Sequence, residues 1–161
     1  MDGYNNIWVV DNDTNNANSG VPNGCNGACY RLEVFDDNGN FLHNYAMGTW
    51  PYGDGNMNYP TGIAVDVNNN IWVASYNISS LMEYSNGGVY LQTLTNGVGS
   101  GSGQFDMLVW LSFDPSGNIW ATDSNPSNRV QQLSNSFVWK QSIATVNGTP
   151  VNTPYGIAVS R

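Results

Sequence analysis

Residues 66–75 read DVNNNIWVAS, and this phrase decides the fold because the chain repeats it. Residues 2–11 read DGYNNIWVVD and residues 114–123 read DPSGNIWATD, so an aspartate stands five residues before Ile-Trp in all three copies. The pattern is typical of a tight turn that begins at aspartate and leads into a strand at Ile-Trp. Its recurrence predicts a protein built from structural repeats.

Each copy of the phrase is flanked by further strand signals. Residues 60–65 read PTGIAV, residues 154–159 read PYGIAV, and residues 108–113, LVWLSF, hold the same place in the third repeat. These short apolar runs predict strands that are buried on both faces. Two further strands follow each Ile-Trp strand and are joined by a turn, with the clearest Asn-Gly signal at residues 37–40.

A complete repeat therefore has four strands, and no segment has helical periodicity of useful length. Repeated four-stranded antiparallel units predict the blades of an all-β propeller, whereas a β-sandwich would explain the strands but not the returning phrases. We expect one domain over residues 1–161, with blades at about 1–57, 58–104 and 105–152 and a further strand at 153–161.

The phrases PTGIAVD at 60–66, GNIWATD at 117–123 and NRVQQL at 128–133 resemble NHL repeats, and the resemblance covers nearly the whole chain. NHL domains are typically six-bladed propellers used for binding, and related propellers include lyases. Those lyases rely on histidines, whereas His43 is the only histidine of this chain. The resemblance therefore transfers no catalytic residue, and we expect a protein that is not an enzyme.

The resemblance also implies an ion pair within the blades. NHL blades place an aspartate at the end of the second strand, near an arginine that opens the third. In this register Asp11 faces Arg31 and Asp123 faces Arg129, while serines replace both partners in the middle repeat. A partly buried lone charge is costly and a pair is acceptable, so we expect two salt bridges. The alternative is two sets of unrelated surface charges.

The order of the strands predicts assembly between chains. The first repeat begins at its turn aspartate, whereas residues 153–161 supply an innermost strand without a blade. Closure of one chain would form a three-bladed ring, tighter than known propellers. We therefore expect head-to-tail pairing of copies in a closed ring or an open filament, the alternative being a fragment of a longer propeller. The donor strand comprises Tyr155, Gly156, Ile157, Ala158 and Val159, and the acceptor edge comprises Ile7, Trp8, Val9 and Val10.

The composition bears on partners and location. Four basic residues against twelve acidic ones give a net charge of −8, which disfavours nucleic acid. No apolar run is long enough to span a membrane as a helix. Because only 10% of the residues are charged and the polar residues are mainly Asn, Ser, Thr, Gly and Tyr, we expect an extracellular or cell-surface structural protein that tolerates contact with its own copies.

Two other kinds of site deserve mention as alternatives. Trp50, Tyr52 and Tyr59 lie between the first and second repeats and are candidate contacts for a glycan or protein ligand, which would make the chain a binding module. Asp11 and Asp13, with the Asn-rich segment after them, offer oxygen ligands for calcium, although a solvated loop is the simpler interpretation. No other cofactor is expected.

We predict an intramolecular disulfide between Cys25 and Cys29, in preference to free thiols, because the surrounding Asn, Gly and Ser are typical of extracellular loops. A zinc site would need two further soft ligands. Mass spectrometry of protein made under oxidising conditions, with and without reductant, should show the oxidised pair. Two free thiols would contradict both the disulfide and the extracellular location.

Overall fold

A computed structural model of the chain describes residues 1–13, 29–46 and 56–160. Within these ranges the protein consists of strands and turns, apart from one short 3₁₀ turn at Tyr76–Ile78. The strands, in chain order, are β1 (Ile7–Asp13), β2 (Cys29–Phe35), β3 (Phe41–Ala46), β4 (Pro60–Val65), β5 (Ile71–Ser75), β6 (Ser80–Tyr84), β7 (Tyr90–Leu94), β8 (Leu108–Phe113), β9 (Ile119–Asp123), β10 (Arg129–Leu133), β11 (Trp139–Ile143), β12 (Thr145–Val146) and β13 (Thr149–Pro150).

The long strands form three antiparallel sheets that follow one another along the chain. The first sheet has the order β1-β2-β3, the second β4-β5-β6-β7 and the third β8-β9-β10-β11, while β12 and β13 form a small hairpin. Each strand pairs with its neighbour in sequence, as in blades that are built one after another. The expectation of an all-β chain with four-stranded antiparallel sheets is confirmed.

The repeated aspartate organises the turn before each Ile-Trp strand. In the third sheet, Asp114 Oδ1 accepts hydrogen bonds from the backbone N–H groups of Ser116 and Asn118, at 3.0 and 2.8 Å. Its Oδ2 accepts a bond from Trp120 Nε1 at 3.2 Å. The other two copies do the same, with Trp8 bound to Asp2 at 2.8 Å and Trp72 to Asp66 at 3.0 Å. The spacing in the sequence is therefore set by one carboxylate that closes a turn and fixes an indole.

The core has two layers, one on each face of the second sheet. Along β5, Ile71 and Val73 belong to the layer shared with the first sheet, whereas Trp72 and Ala74 belong to the layer shared with the third. Successive side chains of a strand point to opposite faces, so the central positions of a strand between two sheets are apolar on both faces. This requirement explains the uninterrupted apolar runs.

Asp2 ties the first turn to the second sheet. Its side chain accepts hydrogen bonds from Trp8 Nε1 and Asn86 Nδ2, both at 2.8 Å, and from Asn6. Burial of the Asp2 carboxylate would by itself raise its pKa, but these bonds outweigh burial and lower the pKa from 3.8 to about 2. The carboxylate therefore stabilises the fold only while it is ionised.

We predict that Asp2→Asn reduces the free energy of unfolding by about 2 kcal/mol at neutral pH. Because the folded pKa is depressed, the stabilisation is complete above pH 3.8 and is lost as the pH falls to about 2. Urea unfolding of both proteins across this range should show the difference shrinking. Asp37→Asn, at an exposed turn position, should change stability by under about 0.5 kcal/mol at neutral pH. A pH-independent loss in Asp2→Asn would contradict the assignment.

Candidate assembly site

The first sheet has an open backbone edge. In the second and third sheets the innermost strands, β4 and β8, pair with β5 and β9. In the first sheet β1 takes the position of β5, and it pairs with β2 on one side only. Among the described residues no strand lies on its other side. Such an edge presents unpaired N–H and C=O groups and is a template for another strand.

The segment that repeats the innermost-strand phrase is anchored on the third sheet. Asn128 Oδ1 accepts a hydrogen bond from the Thr153 N–H at 2.9 Å, and the Tyr155 carbonyl accepts one from Thr122 Oγ1 at 3.1 Å. Within the described ranges, the backbone of residues 156–160 has no hydrogen-bond partner and forms no strand. The segment is thus held at its beginning and unpaired beyond it.

The exposure of this segment alternates as in a strand that lies on a surface. Ile157 and Val159 are half-buried, whereas Gly156, Ala158 and Ser160 are exposed. In the second sheet, Ile63 and Val65 likewise pack on one core layer and Ala64 on the other. Transferred from β4 and β5, the observed register places Gly156, Ile157, Ala158 and Val159 opposite Val10, Val9, Trp8 and Ile7, in that order.

The repeated phrase contains a glycine in two copies, Gly62 and Gly156, and only Gly62 lies in a close strand contact among the described residues. A Cβ atom at Gly62 would lie 2.8 Å from the Trp110 Cα and from the Val109 carbonyl oxygen, because β4 and β8 approach closely. Only glycine fits there. At Gly156, a Cβ atom would meet nothing described within 4 Å. Position 156 therefore carries the residue that a close strand contact requires, and no such contact is present among the described residues of one chain.

An open cavity of about 1060 Å³ adjoins the β1 edge. Its lining includes Trp8 of β1, Ile63 and Val65 of β4, Phe113 of β8, and Val159. Val159 thus lies at the same cavity as Trp8, but its backbone does not pair with β1. One residue of the expected donor strand, Val159, and one of the acceptor edge, Trp8, therefore line the same cavity. The two strands do not pair with each other within one chain.

Both predicted Asp–Arg contacts are present, in different surroundings. Arg31 Nε donates to Asp11 Oδ2 at 2.8 Å, and Arg129 Nε donates to Asp123 Oδ2 at 3.0 Å. The Asp11 side chain is 30% exposed and that of Asp123 is fully buried. The reason is that Asp123 shares the face of β9 that packs on the second sheet, whereas no described sheet covers the equivalent face of β1. Arg31 also contacts Glu33, which the sequence did not predict.

The residue that ends each second strand also holds the backbone leading into the innermost strand. Asp123 Oδ1 accepts a hydrogen bond from the Asp106 N–H at 2.9 Å, and Ser75 Oγ accepts one from the Asn58 N–H at the same distance. The sequence analysis noted that serines replace both charged partners in the second sheet, but it did not assign this role to Ser75. Ser80 lies opposite Ser75 in the register of β5 and β6, and its hydroxyl has no hydrogen-bond partner among the described residues.

Several predicted residues lie where the structure describes little. Cys25, Trp50 and Tyr52 are outside the described residues, and of Cys29 only the backbone at the start of β2 is described. The calcium hypothesis rests largely on residues outside the described ranges. Within those ranges no three His, Cys, Asp or Glu side chains cluster as metal ligands would, and no helix is long and apolar enough to cross a membrane.

No protein-family model matches the chain, and no curated protein does. Among solved structures, a luciferin-regenerating enzyme is 13% identical, with a TM-score of 0.56 over 88% of this chain and 43% of its own. A protein of unknown function from Bacteroides caccae is 12% identical, with a TM-score of 0.53 over 71% of this chain and 38% of its own. A streptogramin B lyase is 14% identical over 74% of this chain and 38% of its own, with a TM-score of 0.47.

The two likenesses with TM-scores above 0.5 show a β-propeller-like fold. At such identities they show the fold alone, so the activities named for those proteins are not carried over to this chain. The chain spans about two fifths of the length of the solved structures that it matches. The four-stranded sheets and their face-to-face stacking are what it has in common with propeller blades.

We predict that Arg129→Ala lowers the free energy of unfolding by about 2 to 4 kcal/mol, because burial raises the pKa of Asp123 and Arg129 is the one cationic side chain that opposes this, beside the backbone N–H groups of Met107 and Asp106. Arg129 also donates to four loop carbonyls. Arg31→Ala should cost less, since Asp11 is partly exposed. Chemical denaturation of both variants measures the difference.

The double variant Asp123→Ser with Arg129→Ser should recover part of the loss. It copies the second sheet, where Ser75 alone accepts the bond from the backbone that leads into β4. If the double variant is as unstable as Arg129→Ala, the buried carboxylate is not the cause of the loss.

Proposed function

We propose that this chain is a non-enzymatic extracellular structural protein, an NHL-type propeller that assembles head to tail by strand complementation. Residues 155–159 of one copy pair with β1 of the next and become the innermost strand of its first sheet. Main-chain hydrogen bonds supply the affinity, and alternate side chains set the register. Repetition of the step builds a filament, or a ring where the rotation between copies closes.

The observation that carries the proposal is a matched pair of unpaired elements. β1 has an open edge, and residues 156–160 alternate like a strand without having a backbone partner among the described residues. Their side chains reproduce those that pair with β5 in the second sheet. An unpaired strand edge is a template for another strand, so filling it with a complementary strand is favoured.

Two further contacts support the same arrangement. In the complemented sheet, Gly156 takes the position of Gly62 and lies against β4 of the second copy, where a side chain would clash. Asp11 takes the position of Asp123, whose carboxylate accepts the backbone N–H of Asp106. The equivalent donor is the Asn152 N–H of the incoming copy. The proposal thus gives a use to a glycine and a carboxylate that one chain leaves without this contact.

Uncovered faces at the two ends of the stack are complementary as well. Trp120 on β9 is equivalent to Trp72, which packs on the third sheet, and it lies on the face of the third sheet away from the second. Ile7 and Phe35 are equivalent to Ile119 and Leu133, the surface on which Trp72 packs. Strand exchange would therefore bring together two faces whose equivalents already pack on each other between the second and third sheets.

We predict that Ile157→Asp abolishes assembly and leaves the monomer folded, because a carboxylate at this position would be buried opposite Val9. Analytical ultracentrifugation should show multiples of the monomer mass for the unaltered chain and monomer for the variant. Val146→Asp adds the same charge to the exposed β12 and should assemble normally. Removal of residues 153–161 should act like Ile157→Asp. If the truncated chain assembles as well as the intact one, strand donation is wrong.

Gly156→Leu separates steric blockage from loss of folding. A side chain at residue 156 has open space in the single chain, so thermal unfolding of the isolated monomer should be unchanged. Assembly should fail, because the leucine would meet β4 of the second copy. The matched change Gly62→Leu should destabilise the monomer itself, since its Cβ atom would lie 2.8 Å from the Trp110 Cα. Unimpaired assembly of Gly156→Leu would contradict the proposed contact.

Disulfide trapping tests whether the pairing joins two molecules. In a Cys25→Ser, Cys29→Ser background, one chain carries Val9→Cys and another carries Ile157→Cys. Directly opposed residues of antiparallel strands are close enough for a disulfide, so the mixture should form covalent dimers on oxidation. Val10→Cys, with its side chain on the other face, should not cross-link to Ile157→Cys. A doubly substituted chain that only closes on itself would overturn pairing between molecules.

A further inference from the structure

A second cavity opens where the innermost strands begin, and none of its lining residues belongs to β1. It has a volume of about 530 Å³, within the range of small-molecule sites. Three tyrosines contribute to its wall together with one hydroxyl and one amide side chain, and no lining side chain is charged. The lining residues are Tyr59, Thr61, Tyr76, Asn77, Val109 and Tyr155.

Tyr59, which lines this cavity, has a strained backbone conformation. Its φ angle is +58°, in the left-handed region that a bulky side chain rarely adopts. Neighbouring bonds hold it there: the Tyr59 carbonyl accepts the Tyr76 N–H at 3.0 Å, and the adjacent Asn58 is bound through its N–H and carbonyl to the Ser75 hydroxyl. Asn77 Nδ2 donates to Asn58 Oδ1 at 3.0 Å. Four bonds thus enforce an unfavourable conformation.

Burial of the Tyr59 side chain does not compensate for this unfavourable backbone conformation. The Tyr59 residue is 45% exposed, and its ring meets the Tyr76 ring at 5.7 Å with a tilt of 53°. Tyr155 is 70% exposed at the same cavity, and its carbonyl is fixed by Thr122. Locally strained residues that the surrounding structure over-determines are concentrated at ligand sites. Exposed aromatic rings held in fixed positions are suited to contact with a ligand.

We propose that this cavity binds a neutral carbohydrate, with a pyranose ring against the exposed ring of Tyr59. A pyranose has apolar C–H faces that contact aromatic rings and hydroxyl groups around its rim that hydrogen-bond to amides and hydroxyls. The cavity offers both kinds of group, Tyr59 and Tyr155 as rings and Thr61 and Asn77 as polar partners. The lining has no cationic side chain to compensate the charge of a carboxylate, sulfate or phosphate group.

The site shares Tyr155 with the donor strand, but its other lining residues lie outside both assembly elements. Tyr59, Thr61, Tyr76 and Asn77 belong to the second sheet and its loops, and none of them lies on β1 or in residues 156–160. Ile157→Asp, the variant that should block assembly, leaves every lining residue of the cavity in place. Carbohydrate binding can therefore be present in a chain that does not assemble, and assembly can occur in a chain that binds no carbohydrate.

The experiment titrates the 161-residue chain with neutral hexasaccharides of glucose, mannose, xylose and N-acetylglucosamine, and with an acidic oligogalacturonate, by calorimetry and ligand-observed NMR. Tyr59→Gly is the informative variant, because glycine adopts a positive φ without strain and keeps the fold while removing the ring. Tyr59→Phe keeps the ring, and Tyr4→Ala removes a more exposed tyrosine elsewhere.

At least one neutral hexasaccharide should bind. Tyr59→Gly should weaken it by about tenfold or more while unfolding at the same or a higher temperature, and Tyr59→Phe and Tyr4→Ala should stay within about threefold. The proposal is overturned if no neutral sugar binds, if only the acidic one binds, if Tyr59→Gly binds as tightly as the unaltered chain, or if Tyr4→Ala loses binding equally.

Discussion

Each sheet of this protein must be covered on both faces, and the rest of the structure follows from that constraint. The second sheet meets it at its second strand, β5, because Ile71 and Val73 enter one core layer and Trp72 and Ala74 enter the other. Strands that satisfy such a demand have no polar face, which is why they appear in the sequence as unbroken apolar runs. A sheet at either end of the stack meets the demand on one face only.

The turns translate this stacking into a repeated sequence. A single aspartate binds two backbone N–H groups of its turn and the indole of a tryptophan six residues later, so turn geometry and core packing are coupled. The same carboxylate position is buried at Asp2, where a link to Asn86 of the second sheet is added. The repeated Trp is therefore a packing residue with a fixed hydrogen bond, and its recurrence says nothing about a ligand.

Much of the fold was predictable from local patterns, whereas the site was predictable only where the repeats themselves encode it. Strand order and the Asp123–Arg129 contact follow from register, since equivalent positions of each repeat meet in the same way. The role of Ser75 as acceptor for an incoming backbone, and the need for glycine at residue 62, depend on contacts between distant segments. The convergence of Tyr59, Tyr76 and Tyr155 has the same origin, because no short-range spacing joins them.

The two ends of the stack make complementary demands. At the first sheet, β1 lacks a partner on its inner side and its outer face has no cover among the described residues. At the third sheet, Trp120 holds the position equivalent to Trp72, but no described sheet covers it as the third sheet covers Trp72. Residues 156–160 alternate in exposure like a strand and have no strand partner among the described residues. Backbone pairing alone would leave the outer faces of the first and third sheets exposed to solvent. Face packing alone would leave the backbone edge of β1 unpaired. In the proposed assembly, one rigid-body contact between copies would satisfy both demands, since the strand and the face would be displaced together by the same repeat operation that relates the second sheet to the third. A contact that meets both demands at once is stabilised by main-chain hydrogen bonds and apolar burial together, which is why strand pairing and face packing are expected to fail together when either is blocked.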